Sequence, residues 1–129
     1  MIPENLSYTN EHEWIRVDGA VAAVGITDHA QDALGDVTFV ELPPMGAQLA
    51  KGAEACAIES AKAAVSVYAP VAGKVVEVNA AVEDDPGLVN SSPYDEGWIF
   101  KMELADAAAV DGLMDAAAYT EFVAGEEAH

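Results

Sequence analysis

The chain has 129 residues, five Lys and Arg against 23 Asp and Glu, a formal net charge of −18 and one Cys. One domain over residues 1–129 is the default at that length, with enough burial for one core. No basic stripe exists to neutralise phosphates or to meet an anionic membrane, and no apolar run nears the roughly 18 residues of a span, so nucleic acid and membrane partners are excluded. The acidic excess fits solubility, salt adaptation or basic protein partners, and solubility is the plainest of the three. Met1-Ile2-Pro3-Glu4-Asn5 lacks the basic start and apolar core of a signal peptide. That favours a bacterial-like cytoplasmic protein, with a processed mitochondrial chain as the alternative.

Glu13 to Val17 alternates, Asp18-Gly19 turns the chain, and Val21 to Val24 returns as a second strand. Thr27 to Leu34 reads as a short helix. Thr27 caps it, Asp28 suits its positive end and Gly35 stops it. Ala30 and Leu34 share a face. Val37 to Leu42 is a β-branched and aromatic strand ended by Pro43-Pro44. Leu49 to Gly52 reads as a turn, Ala55 to Glu59 as a strand and Ala63 to Tyr68 as its partner. Pro70 and Gly73 bracket a turn before a strand at Lys74 to Val78. Glu83 to Gly87 reads as a loop, and Trp98 to Leu104 closes the sheet region. Asp106 to Ala124 is a helical extension. Asp106 and Asp115 are its N-caps, Gly112 breaks it, and Val110, Leu113, Met114, Tyr119, Phe122 and Val123 form its apolar faces. Gly125 to His129 reads as a frayed end.

Similar strand-turn units flank Lys62, which suggests two related halves with a lysine hairpin at one end. Lys62 stands in Glu59-Ser60-Ala61-Lys62-Ala63-Ala64. Small neighbours leave it open, Val65 and Val67 stiffen the strand behind it, and Glu59 is an acid near its ammonium. From spacing alone, an ordinary polar residue in an exposed turn is the better reading. Cys56 lies in an apolar stretch and reads as a buried small hydrophobe. His12, His29 and His129 show no metal-ligand spacing, no metal site is expected, and no nucleotide or hydrolase motif occurs.

Four blocks change the reading of Lys62. They are Tyr8 to Trp14, Gly25 to Asp36, the lysine string with Tyr68 to Asn79, and Pro86 to Trp98. The lysine string resembles lipoyl-carrying domains. The four blocks together, in order across nearly the whole chain, resemble the H-protein family of the glycine cleavage system. That resemblance implies a mainly β fold, a barrel-sandwich hybrid of two antiparallel sheets. It implies no catalytic residues of its own and lipoate held in an amide on Lys62. It implies a monomeric shuttle among a pyridoxal-phosphate glycine decarboxylase, an aminomethyltransferase and a dihydrolipoyl dehydrogenase, after loading by a lipoate-attaching enzyme.

By the same resemblance the arm carries an aminomethyl group that water removes, so a cleft is expected to shelter it. Glu13 is the candidate acid for the arm's terminal ammonium, with Ile26 and Leu34 as an apolar wall. The competing reading makes Glu13 a solvated strand residue and Leu34 core. Trp14 and Trp98 read as core aromatics, His29 as a helix-surface or packing residue, and Ser60 and Asp36 carry no assignment. Ala61 and Ala64-Val65-Ser66 depart from the family pattern, the first by being smaller and the second by lacking an acid. Two other readings stand beside this one: a free-standing lipoyl domain of a 2-oxoacid dehydrogenase complex, and a small acidic all-β binding module without cofactor.

Overall fold

A computed structural model describes residues 3–127. The strands are β1 (Ser7–Tyr8), β2 (Glu13–Asp18), β3 (Val21–Ile26), β4 (Val37–Glu41), β5 (Gln48–Leu49), β6 (Glu54–Ser60), β7 (Ala64–Tyr68), β8 (Gly73–Val78) and β9 (Phe100–Leu104). The helices are α1 (Asp28–Leu34), α2 (Ala80–Asp84), α3 (Leu88–Ser91) and α4 (Ala116–Glu127), with a 3-10 segment at Ala107–Gly112. A six-stranded sheet runs β1-β2-β3-β9-β8-β5, and a three-stranded sheet runs β4-β6-β7. Every strand pair is antiparallel. The expected barrel-sandwich hybrid of two antiparallel sheets is what forms.

Neighbouring residues on β2 and β3 serve opposite faces of the large sheet, as strand geometry requires. Ile15, Ala22 and Val24 join the main core with Val40, Ile58, Val67, Val75, Phe100 and Met102. Trp14 and Ala23 join a second core with Leu6, Tyr8, Tyr119 and Val123 of α4. The large sheet is therefore covered on both faces in this region, and β3 reads as a continuous apolar run. Trp14 is fully buried and donates its indole N–H to Pro93 O at 2.9 Å. Trp98 is only half-buried and packs at the edge of the second core, with the Lys101 ammonium 5.0 Å from its ring centre.

Several elements differ from the sequence reading. Asp18 belongs to β2 and pairs with Val21, so the hairpin loop is Gly19-Ala20. Gly19 takes φ 67°, the left-handed conformation that the first loop residue of such a turn needs. The segment read as a loop at 83–87 holds the end of α2, capped by Asn79, whose side chain accepts from Ala81 N–H. The strand expected from Trp98 starts at Phe100. The C-terminal helix runs past Ala124 and through Gly125 to Glu127, so the expected fraying does not begin at Gly125. The rest of that expected frayed end, Ala128 and His129, lies outside the described residues. Asp106 and Asp115 do accept from backbone N–H groups at their helix starts.

Gly97 is buried against α3. A Cβ there would lie 2.7 Å from the carbonyl oxygens of both Leu88 and Ser92. Both obstacles are backbone, so neither can swing away. Gly97→Ala is expected to cost about 1–3 kcal/mol by overpacking. Chemical denaturation would show the midpoint fall with little change in slope.

Candidate functional site: a knotted lysine tip beside a cleft

Strands β6 and β7 form a hairpin, with Glu59 opposite Ala64. Lys62 stands exposed at its tip. Ser60 fastens that tip. Its backbone N–H donates to Ala63 O at 2.8 Å, and its hydroxyl donates to the same carbonyl at 3.2 Å. The hydroxyl oxygen accepts from the N–H groups of Lys62 and Ala63 at 3.2 and 3.1 Å. Nothing in the sequence distinguished Ser60 from any other small polar residue. Asp36 contributes through its backbone, since Ala61 N–H donates to Asp36 O at 3.3 Å.

The lysine stem rests on the end of α1. Thr27 caps that helix and accepts from Ala30 N–H, as the sequence suggested. Gly35 ends it at φ 75°, and a Cβ there would come within 2.9 Å of Lys62 Cε. Glycine thus serves both the helix stop and the seat of the lysine. No ion pair joins Lys62 to Glu59: the stem lies across Gly35, while Glu59 sits in the strand ladder between Phe39 and Ala64. Asn90 on α3 holds the seat from below. It accepts from Val37 N–H at 2.8 Å and donates to Gly35 O at 2.8 Å and to Gln31 Oε1 at 3.0 Å. The block from Pro86 to Trp98 therefore supports the lysine without touching the arm cleft.

A cleft of about 310 Å³ opens next to the tip. Its lining includes Glu13, Ile26, Leu34, Ala63, Val65 and Val67. The structure brings together all three residues singled out for a cleft, since Glu13 pairs with Ile26 across β2 and β3 and Leu34 is the last residue of α1. Leu34 is buried in the core as well as facing this cleft, so its two readings coincide.

Glu13 is not a solvated strand residue; it is 2% exposed. Its carboxylate accepts from the Thr9 hydroxyl at 2.7 Å and from Tyr68 N–H at 2.9 Å. Burial pushes its pKa above the ordinary carboxylate value, and the two hydrogen bonds oppose that push without cancelling it. Among the described residues no cation offsets the burial, so the carboxylate is positioned and short of a counter-charge there. His29 is a packing residue, its ring 4.6 Å from that of His12. Cys56 is buried at 3% exposure and burial pushes its thiol up to about 12, which makes it inert. Among the described residues no group of His, Cys, Asp and Glu could hold a metal, and no helix is long and apolar enough to cross a membrane.

The pattern for Glycine cleavage H-protein matches residues 6–126 of this chain. The chain belongs to the glycine cleavage H-protein family. It is 52% identical over 127 residues to the glycine cleavage system H protein of Marinobacter nauticus, covering 98% of each chain. It is 57% identical over 119 residues to that of Methylocella silvestris, covering 92% of this chain and 95% of the relative. It is 50% identical over 128 residues to the mitochondrial H protein 2 of Arabidopsis thaliana, covering 99% of this chain and 82% of the relative. The crystal structure of an H protein from Mycobacterium marinum superposes with a TM-score of 0.85 at 37% identity, covering 98% of this chain and 99% of that one. As an H protein the chain is a carrier subunit of glycine cleavage, and the chemistry belongs to other subunits of the system.

Proposed function

We propose that this H protein carries lipoate in an amide on Lys62 and shelters the loaded arm in the cleft beside it. The observation that carries this reading is one arrangement. An exposed lysine on a fastened tip borders an apolar cleft with a buried, cation-deficient carboxylate in its wall.

The residues fit the group. Ala61, Ala63 and Ala64 are exposed and small, so a lipoate-attaching enzyme can approach the amine. The Ser60 knot keeps the root rigid while the arm moves. Ile26, Leu34, Val65 and Val67 offer an apolar bed for an aliphatic chain. Lipoate supplies a dithiolane that accepts the aminomethyl group of glycine and cycles between dithiol and disulfide. Glu13 would meet the ammonium of the loaded arm, gaining the opposite charge that its site lacks. The walls would exclude water from the carried carbon.

The finer partners follow the same reading: a pyridoxal-phosphate decarboxylase, an aminomethyltransferase and a dihydrolipoyl dehydrogenase. A net charge of −18 disfavours self-association, which suits a monomeric shuttle of one domain with a C-terminal helical extension. A bacterial cytoplasmic setting agrees with relatives such as that of Marinobacter nauticus, and the Arabidopsis relative is mitochondrial.

Intact mass spectrometry of protein made in a lipoate-sufficient host tests the attachment. The expected result is a mass excess equal to one lipoyl group, localised to Lys62 by peptide mapping. Unmodified protein, or modification at another lysine, would sink the reading.

A further inference from the structure

A hydroxyl of the C-terminal helix reaches the walls of the arm cleft. Tyr119 of α4 is fully buried and stacks on Tyr8, the rings 4.6 Å apart and nearly parallel at 11°. Its hydroxyl lies 2.7 Å from Thr27 Oγ1 and 2.8 Å from His12 Nδ1. His12 lines the cleft. Thr27 caps α1, which contributes Ala30, Ala33 and Leu34 to the same cleft. One hydroxyl thus bonds to two walls from behind.

The Thr27 end of this contact is buried and already engaged. Thr27 is 0% exposed and its hydroxyl oxygen already accepts from Ala30 N–H. The Tyr119 hydroxyl completes the hydrogen bonding of this buried group. The same Tyr119 hydroxyl is in hydrogen-bond contact with His12 Nδ1, so it bridges Thr27 and His12. His12 also holds φ 66°, a conformation that non-glycine residues keep only where the surroundings enforce it. The enforcement comes from its own backbone bonds, to Thr9 O and from Thr27 N–H, and from packing. Its ring lies 4.6 Å from that of His29 on α1 and 5.7 Å from that of Phe122 on α4.

We propose that Tyr119 is a positioning residue that ties His12 to the start of α1 and so fixes the cleft in its sheltering shape. This gives the C-terminal helix a part in protecting the cargo, beyond covering the sheet. It rests on the reading that the cleft shelters the loaded arm.

Tyr119→Phe keeps the ring and its stacking and removes only the hydroxyl. Two readouts apply to the full chain. In unloaded protein, the nitrogen-15 resonance of His12 Nδ1 reports its bond to the Tyr119 hydroxyl. In lipoylated, aminomethyl-loaded protein, formaldehyde release reports the cargo lifetime, as water takes the carbon away with ammonium and leaves the thiol. Val123→Ala is the control. It removes packing from the same helix, and Val123 takes no part in the hydrogen-bond chain. Tyr119→Phe is expected to move the Nδ1 resonance and shorten the lifetime about fivefold, the factor that one neutral hydrogen bond is worth. Val123→Ala is expected to lower the melting temperature and change neither readout. An unchanged lifetime in Tyr119→Phe overturns the proposal, and so does equal shortening in Val123→Ala. Glu13→Gln, run in parallel, separates the levels. If it shortens the lifetime while Tyr119→Phe does not, the tie fails and the cleft stands. If neither shortens it, the sheltering role of the cleft falls too.

Discussion

Lys62→Arg is expected to abolish carrier function while leaving the fold intact. Arginine keeps the charge and the reach but has no amine that can form the lipoyl amide. The tip is held by Ser60 and by the backbone of Ala63 and Asp36, none of which uses the lysine side chain. Lys62 is exposed, so stability should stay within about 0.5 kcal/mol of the parent. The reconstituted glycine cleavage system should fall to the rate seen without H protein, and the lipoyl mass excess should vanish. Retained turnover with the arginine variant would place the attachment elsewhere. It would also favour a binding module without cofactor, the reading that family membership otherwise displaces.

The second large effect lies at Glu13, and two substitutions divide it. Glu13→Ala strips the acceptor from Tyr68 N–H and the Thr9 hydroxyl. Leaving such donors unmet costs about 1–3 kcal/mol of stability. Glu13→Gln keeps an acceptor in the same place and removes only the charge. Both should shorten the lifetime of the loaded arm, by about tenfold if a charge-assisted contact to the ammonium is worth about 1.5 kcal/mol. Equal lifetimes in parent, Gln and Ala variants would reduce Glu13 to a structural fastener.

The pH dependence of stability gives an independent check in unloaded protein. The folded pKa of Glu13 lies above its ordinary value of 4.5, so the folded state holds that proton more tightly than the unfolded chain does. The resulting stabilisation is present below 4.5 and is lost as pH rises from 4.5 through the raised folded value. Denaturant midpoints measured across that window should fall with rising pH more steeply in the parent than in Glu13→Gln.

Local signals in the sequence carried the parts of this structure that depend on neighbours. Thr27, Asp28 and Gly35 mark α1 because a cap, an acid and a glycine stop act within one short stretch. The β6–β7 hairpin was legible for the same reason. Helix α2 was not, because Glu83 to Gly87 has turn chemistry and the Asn79 cap lies upstream of it. The burial of Glu13 had one available signal. Strand alternation puts it on the face of Ile15, opposite Trp14, and that face is the core. Its composition pointed the other way, since a strand glutamate is usually solvated. Its partners are Thr9, four residues away, and Tyr68, 55 residues away, and only the first could be guessed from local spacing. Ser60, Asn90 and Tyr119 act through contacts that no periodicity announces. The helical extension was legible, but its hydroxyl bond to Thr27 spans 92 residues.

The strand pairs around Lys62 set an order of assembly. Glu59 meets Ala64, Glu54 meets Tyr68 and Gln48 meets Lys74, each pair enclosing the last. The innermost contact closes a very short loop, and each further pair adds only a modest loop-closure cost once the previous one exists. The pairing of Val24 with Phe100 joins far more distant parts of the chain and lies outside that nest. Contact-order reasoning then makes the lysine hairpin an early element of folding and the β3–β9 seam a late one. A nascent chain would present a formed attachment point before the β3–β9 seam completes the large sheet.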